Sequence, residues 1–183
     1  MLLLAAAPQE LDTLAGEVVG VGPVVAANRA AVLLERYRPD RVVLIGTGGS
    51  YPGGPPLNSA IAASKVGLSH GVAAMGLGYV PRPPIPIDTD TEMLAQLGLP
   101  AHPVLAVGAV TTDPILAGRL SDGWDVEHLE CYSVAYACRE AGIPFAVVLG
   151  ISNLVGKDAH TQWLTNRESA QRAARLAIQV LFE

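Results

Sequence analysis

Residues 126–153 read VEHLECYSVAYACREAGIPFAVVLGISN, and this stretch decides the fold. Val126 to Leu129 predicts a short strand. Cys131 to Ala141 predicts a helix, closed by Gly142. Phe145 to Ile151 is a continuous apolar run of strand length that ends in Ser152 and Asn153. Such a run marks a strand covered on both faces, as in a sheet flanked by helices. Cys131 and Cys138 lie seven residues apart. On a helix they share a face, where they are expected to be buried and reduced.

The same alternation extends outward from this stretch. Residues 2–7 predict a buried strand ended by Pro8, and Glu17 to Val21 a short second one. Gly22 to Arg36 predicts a helix that stops before Pro39. Arg41 to Gly46 predicts a third buried strand, followed by a glycine loop from Gly46 to Ser50. Leu57 to Ala63 predicts another strand. Residues 64–88, with Pro81, Pro83, Pro84 and Pro86, read as a long loop or flap. Asp90 caps a helix to Leu97, Val104 to Val110 is a strand, and Pro114 opens a helix to Leu120. Thr165 to Phe182 predicts the terminal helix. Apolar strands alternating with helices give an α/β fold.

The composition bounds the function. At 183 residues the chain has the length of one domain, spanning 1–183. Half of it is hydrophobic and only 16% is charged, which excludes disorder. Aromatic residues make up 5%, so the core must be aliphatic. A net charge of −5 argues against a nucleic-acid partner. No apolar run reaches the ~18 residues of a membrane span. Met1 to Ala7 lacks the basic start of an export signal, so a cytoplasmic location is expected.

In α/β sheets, ligands bind outside the carboxyl ends of strands. Here those ends carry Glu10, Gly20-Val21-Gly22, the Gly46–Ser50 loop, Thr111-Thr112-Asp113, Glu130 and Ser152-Asn153. Val25 stands where the third glycine of a dinucleotide fingerprint belongs, so Gly20 and Gly22 read first as packing glycines. The Gly46–Ser50 loop has no lysine for nucleoside triphosphate, though its backbone can approach a sugar or an anion. His70, His102, His128 and His160 form no metal-ligand spacing, so no metal is expected. His160 reads as a solvated residue on a mobile loop. No serine has an esterase setting.

Taken together, Glu130-Cys131, Ile143-Pro144-Phe145 and Ile151-Ser152-Asn153 resemble the nucleoside phosphorylase/hydrolase superfamily, and 23 residues separate Glu130 from Asn153, as in its nucleosidase branch. Ala7-Pro8-Gln9-Glu10, the segment from Gly20 to Ala27 and the Gly46–Ser50 loop extend the likeness, while residues 60–100 match poorly. Ile151 to Gly156 with Trp163 is most similar to the futalosine-cleaving branch. The resemblance implies a three-layer sandwich with a mixed central β-sheet flanked by helices, no cofactor, a purine nucleoside as substrate and a homo-oligomer. It implies catalytic roles for Glu10, Glu130 and Asn153, and substrate contacts from Gly48, Leu129, Glu130, Ser152 and Asn153.

These residue types suit N-ribosyl cleavage. Glu130 can accept from the ribose hydroxyls and favour the developing cation. Glu10 is the expected base for water. Adenine-specific relatives carry Asp at position 153. The asparagine amide can donate to O6 and accept from a protonated N7, which fits a 6-oxopurine such as hypoxanthine. His128 stands where the family carries an acid, and Leu129 where it carries Met. No arginine occurs in 46–81, so water rather than phosphate is the expected nucleophile. The alternatives are a methylthioadenosine/adenosylhomocysteine nucleosidase and a non-catalytic nucleoside-binding module.

Overall fold

The structure is a computed structural model that describes residues 1–182. Its elements, in order, are β1 (Leu2–Ala5), α1 (Pro8–Leu11), β2 (Glu17–Val18), α2 (Pro23–Tyr37), β3 (Val42–Ser50), β4 (Ala60–Leu68) and α3 (Gly71–Ala74). They continue through β5 (Ile87–Asp88), α4 (Thr91–Leu97), β6 (Ala101–Ala106), α5 (Pro114–Leu120), β7 (Val126–His128), α6 (Cys131–Ala141), β8 (Phe145–Leu154) and α7 (Ala159–Ala177). A short 3-10 turn, Gln179–Leu181, follows. The expected cap forms, with Asp90 accepting from the amide of Met93, and Asp113 caps the next helix in the same way, accepting from the amide of Leu116.

The sheet is mixed, with β3 and β8 at its centre. These two strands run parallel along their whole length, and β1 pairs parallel to the other side of β3. β8 is antiparallel to β4, β4 is parallel to β6, and β6 is parallel to β7. β7 then returns antiparallel to the end of β3, where Gly49 faces Glu127 and Ser50 faces Val126. Five strands therefore close a ring, with β1 and β2 extending from β3 and β5 pairing antiparallel to β4. Closure brings the ends of β3, β7 and β8 together.

The pleat distributes the apolar strands to two layers of helices. Leu4, Leu44, Val147 and Leu149 pack with Leu33 of α2 and with Val134, Ala135 and Cys138 of α6. Their neighbours Leu3, Val43, Ile45, Ala146 and Val148 pack on the other side with Met93 and Leu97 of α4 and with Ala174 and Ile178. Each buried Leu, Ile or Val contributes ~1.5–3 kcal/mol relative to exposure, so the aliphatic core suffices with few aromatics. Both cysteines are buried and free in α6, as expected. Among the described residues no helix is long and apolar enough to cross a membrane.

Three local expectations are corrected. The Gly46–Ser50 segment is not a loop; it is the second half of β3, paired residue by residue with β8 across a register shift between Gly48 and Gly49. Residues 64–68 are not part of a flap either, because β6 supplies a partner that extends β4 through Leu68. Finally, the terminal helix begins at Ala159, six residues earlier than expected, so His160 sits in its first turn rather than on a loop.

Candidate active site

A cavity of about 680 Å³ opens where the ends of β3, β7 and β8 meet α1 and α7. It brings Glu10, Leu129, Glu130, Ser152 and Asn153 onto one wall system. Of the expected contacts only Gly48 does not reach it. There a Cβ would meet Val126 and Leu149, so that face of the strand is core-directed, and Thr47 and Gly49 line the cavity instead.

Glu10 is positioned by the single turn that Pro8 opens. One carboxylate oxygen, Oε2, accepts from the amides of Ala6 at 2.9 Å and Ala7 at 3.1 Å, so the chain entering α1 holds the side chain in place. The other, Oε1, faces the bare Cα of Gly46, where a Cβ would come within 3.2 Å of it. Burial pushes the Glu10 carboxyl up to about 7. The amides of Ala7, Ala6 and Thr47 oppose that shift, and the charge of Glu130 adds to it.

Glu130 stands at the start of α6 and is 3% exposed. Its Oε1 accepts from the amide of Gly22 at 2.7 Å. Gly22 has φ +92°, a conformation that favours glycine, at the N-terminus of α2. The glycine is therefore needed to aim this N–H at the carboxylate, a role beyond packing.

His128 is fully buried and neutral. Its Nδ1 accepts the amides of Glu130 and Cys131, both at 3.1 Å, which leaves the proton on Nε2. The 3.5 Å approach of Glu130 Oε2 to Nδ1 is therefore not an ion pair. Burial drives the imidazole pKa down, and the nearby Glu130 charge only partly opposes it. Nε2 faces Gly46 as Glu10 Oε1 does, 3.1 Å from where a Cβ would stand. His128 thus places a neutral N–H donor beside Glu10 and Glu130 and adds no further charge there.

Sequence reasoning did not single out Glu127. It is buried, and both oxygens are occupied: Oε1 by the amide of Thr111 at 2.9 Å and Oε2 by the hydroxyl of Tyr51 at 3.0 Å. It ties the loop after β6 to the cavity floor. At the other end, the Ser152 hydroxyl donates to Asn153 Oδ1 at 2.9 Å, and Asn153 Nδ2 donates to the carbonyl of Leu154 at 3.2 Å. This orients the Asn153 amide and leaves a second Nδ2 hydrogen and an Oδ1 lone pair for a ligand.

The remaining wall is α7. Trp163 Nε1 donates to Thr47 Oγ1 at 3.2 Å, and His160 and Arg167 flank the indole. Asn166 Nδ2 donates to the carbonyl of Ser152, and Gln162 accepts from the amide of Leu154, which pins the helix to the end of β8. Arg167 and Gln171 reach the cavity only because α7 packs there; their sequence neighbourhood carries no signal. Among the described residues no group of three or more His, Cys, Asp or Glu side chains is placed to hold a metal ion.

Comparison with known proteins agrees with this geometry. Residues 120–183 match the model of the phosphorylase superfamily. The chain is 30% identical over 179 residues to a futalosine hydrolase of Thermus thermophilus, covering 90% of this chain and 79% of that protein. It is 26% identical over 162 residues to a 5′-methylthioadenosine/S-adenosylhomocysteine nucleosidase of Bacillus cytotoxicus, covering 79% and 69%. A futalosine hydrolase mutant of Helicobacter pylori superposes with a TM-score of 0.87 at 16% identity, covering 98% of this chain and 96% of that one, and shares the fold. This chain therefore belongs to the phosphorylase superfamily, in the group that holds the futalosine and 5′-methylthioadenosine/S-adenosylhomocysteine nucleosidases.

Proposed function

We propose that this nucleosidase hydrolyses the N-glycosidic bond of a 6-oxopurine nucleoside, futalosine, and releases hypoxanthine. The observation that carries the reading is Glu10, a buried carboxyl facing the cavity beside Glu130 with its pKa raised to about 7. A base poised near working pH is half ionised there and can take a proton from water.

In the reaction, the oxygen of water attacks C1′ of the ribose while the C1′–N9 bond breaks and its electron pair passes into the purine. Glu10 takes the proton from the water. Glu130, aimed by the Gly22 amide, accepts from the ribose hydroxyls and offsets the positive charge that grows at C1′. Leu129 packs against the sugar. As the bond breaks, N7 takes a proton from a solvent water, so that hypoxanthine leaves neutral; Asn153 Nδ2 donates to O6, and Oδ1 accepts from the new N7–H. Three buried carboxylates, Glu10, Glu127 and Glu130, line this end of the cavity and disfavour a phosphate nucleophile.

The test is chromatographic. Incubation with futalosine, inosine and methylthioadenosine is expected to release free hypoxanthine fastest from futalosine, at a rate indifferent to added phosphate. A ribose 1-phosphate product overturns hydrolysis, and faster release of adenine favours the methylthioadenosine reading, which the Bacillus cytotoxicus relative supports. No base release from any of the three leaves only the non-catalytic binding module.

Asn153→Asp separates the two purine classes. The mutant carboxylate loses the donor to O6 and sets an acceptor against it. An unpaired buried acceptor costs ~1–3 kcal/mol, so kcat/KM on a hypoxanthine nucleoside is expected to fall ~10–100-fold. The adenine-to-hypoxanthine ratio of kcat/KM rises with it. An unchanged ratio in a folded mutant means that Asn153 only caps the strand end.

A further inference from the structure

The imidazole of His128 has one hydrogen-bonding edge that the fold does not use. Nδ1 is occupied by the amides of Glu130 and Cys131, each at 3.1 Å, so the ring proton sits on Nε2. No acceptor among the described residues takes that proton. His128 is 5% exposed and lines the cavity. The described residues hold one fully enclosed side-chain polar atom without a partner, and it is Thr89 Oγ1. Nε2 is therefore not sealed in the core but opens on the cavity. Gly46 sets what it faces there. The point where a Cβ would stand on Gly46 is 3.1 Å from His128 Nε2 and 3.2 Å from Glu10 Oε1. The two atoms share this small space, yet they form no direct hydrogen bond or ion pair. A donor and an acceptor set apart in this way suit a single bridging water. A methyl group on Gly46 would press on both atoms, so the glycine keeps the space between them open.

We propose that His128 is a positioning residue for the nucleophile: its Nε2–H donates to the water whose proton Glu10 takes. This deepens the hydrolase reading of the cavity and rests on it. The water donates one hydrogen to Glu10 Oε1 and accepts from Nε2 on one lone pair, which leaves its other lone pair for C1′. As attack proceeds, the proton passes to Glu10 and the oxygen bonds to C1′. The C1′–N9 electron pair leaves with the purine, and His128 keeps its proton throughout. The N–H also faces the negative charge that grows on the oxygen as its proton departs. Glu130 follows two residues later, and its Oε2 lies 3.5 Å from His128 Nδ1. One short segment thus places the water and the ribose relative to each other, which is the source of its effect on rate.

Two substitutions separate this role from a structural one. His128→Asn sets Oδ1 where Nδ1 stands, so the amides of Glu130 and Cys131 keep an acceptor, but nothing donates from the Nε2 position. His128→Gln does the reverse: its amide nitrogen reaches the Nε2 position, and the two backbone amides lose their acceptor. Thermal unfolding and the kinetics of base release from futalosine and inosine are measured on the wild type and both variants. His128→Asn is expected to fold with a Tm near wild type, to keep KM, and to lose kcat by ~10–100-fold, as a misplaced nucleophile does. His128→Gln is expected to be less stable yet to retain most of the wild-type kcat. Nitrogen-15 spectra of the wild type at pH 7 should place the ring proton on Nε2. A His128→Asn enzyme with wild-type kcat overturns the proposal, as does a His128→Gln enzyme whose kcat is as low as that of His128→Asn, or a ring protonated on Nδ1. Base release by the wild type with an unaffected His128→Asn removes this proposal alone. A wild type that releases no base removes the hydrolase reading and this proposal with it.

Discussion

Glu10→Gln is expected to lower kcat by ~10²–10⁴-fold, the contribution of a positioned general base, and at the same time to stabilise the folded protein at alkaline pH. Both effects come from one feature. Burial raises the Glu10 carboxyl from 4.5 to about 7. A carboxyl with a higher pKa in the folded than in the unfolded chain takes up a proton on folding between those two values. Folding stability therefore falls as pH rises from about 4.5 to about 7, and the full cost is present above that window. The shift corresponds to roughly 3 kcal/mol. Glutamine keeps one oxygen for the amides of Ala6 and Ala7 but gives up acceptance from Thr47, at a cost of about 1 kcal/mol. Urea unfolding is expected to show Glu10→Gln near wild type at pH 4 and about 2 kcal/mol more stable at pH 8. The wild-type kcat/KM should rise through an apparent pKa of about 7. Near wild-type turnover in Glu10→Gln would place the base elsewhere, and equal stability at pH 4 and pH 8 would mean that the carboxyl is not desolvated in solution.

The order of strands and helices was legible because Leu2 to Ala5, Val42 to Ile45 and Phe145 to Leu149 are unbroken apolar runs, a pattern set by burial on both faces. Glu10, Glu130 and Asn153 were legible as polar residues at strand ends in a spacing shared with a family. What failed to show depends on partners distant in the chain. Gly46 to Ser50 looks like a loop because glycine weakens isolated strands, yet here a Cβ at Gly48 or Gly49 would collide with Val126 or Asn153, so the closed ring requires the glycines. The choice of Gly48 over its neighbours failed because adjacent strand residues face opposite sides and a register shift falls between Gly48 and Gly49. Gly156-Lys157-Asp158 resembled a mobile loop, and that hid the true start of α7 and with it the His160, Trp163 and Arg167 wall. His128 appeared only as a missing acid; its tautomer is set by two backbone amides that no sequence pattern displays.

Gly150→Ala is expected to have the largest effect on stability of any single methyl group added to this chain. A Cβ at Gly150 would stand 1.8 Å from the carbonyl oxygen of Ala170, 2.4 Å from its carbonyl carbon and 2.9 Å from its Cα. All three are backbone atoms of α7, so no rotamer change relieves the clash. β8 cannot retreat, because Gly150 is paired on one side with Thr47 and on the other with Ala60. The helix must move instead, against its anchors at Ser152 and Leu154 and against the buried packing of Ala170, Ala174 and Ile178. Overpacking ordinarily costs ~1–3 kcal/mol; with backbone against backbone the expected loss is on the order of 4–5 kcal/mol. For a chain of this size that lowers Tm by roughly 10 °C or more. Gly67→Ala is the matched comparison. Its Cβ would meet the ring of Trp124 at 2.2 Å, a side chain that can swing away, so a smaller loss is expected there. Thermal unfolding of the two mutants decides the matter. A Gly150→Ala protein as stable as Gly67→Ala would show that α7 slides freely on β8, and a helix that slides could not hold Trp163 and Arg167 at the cavity wall.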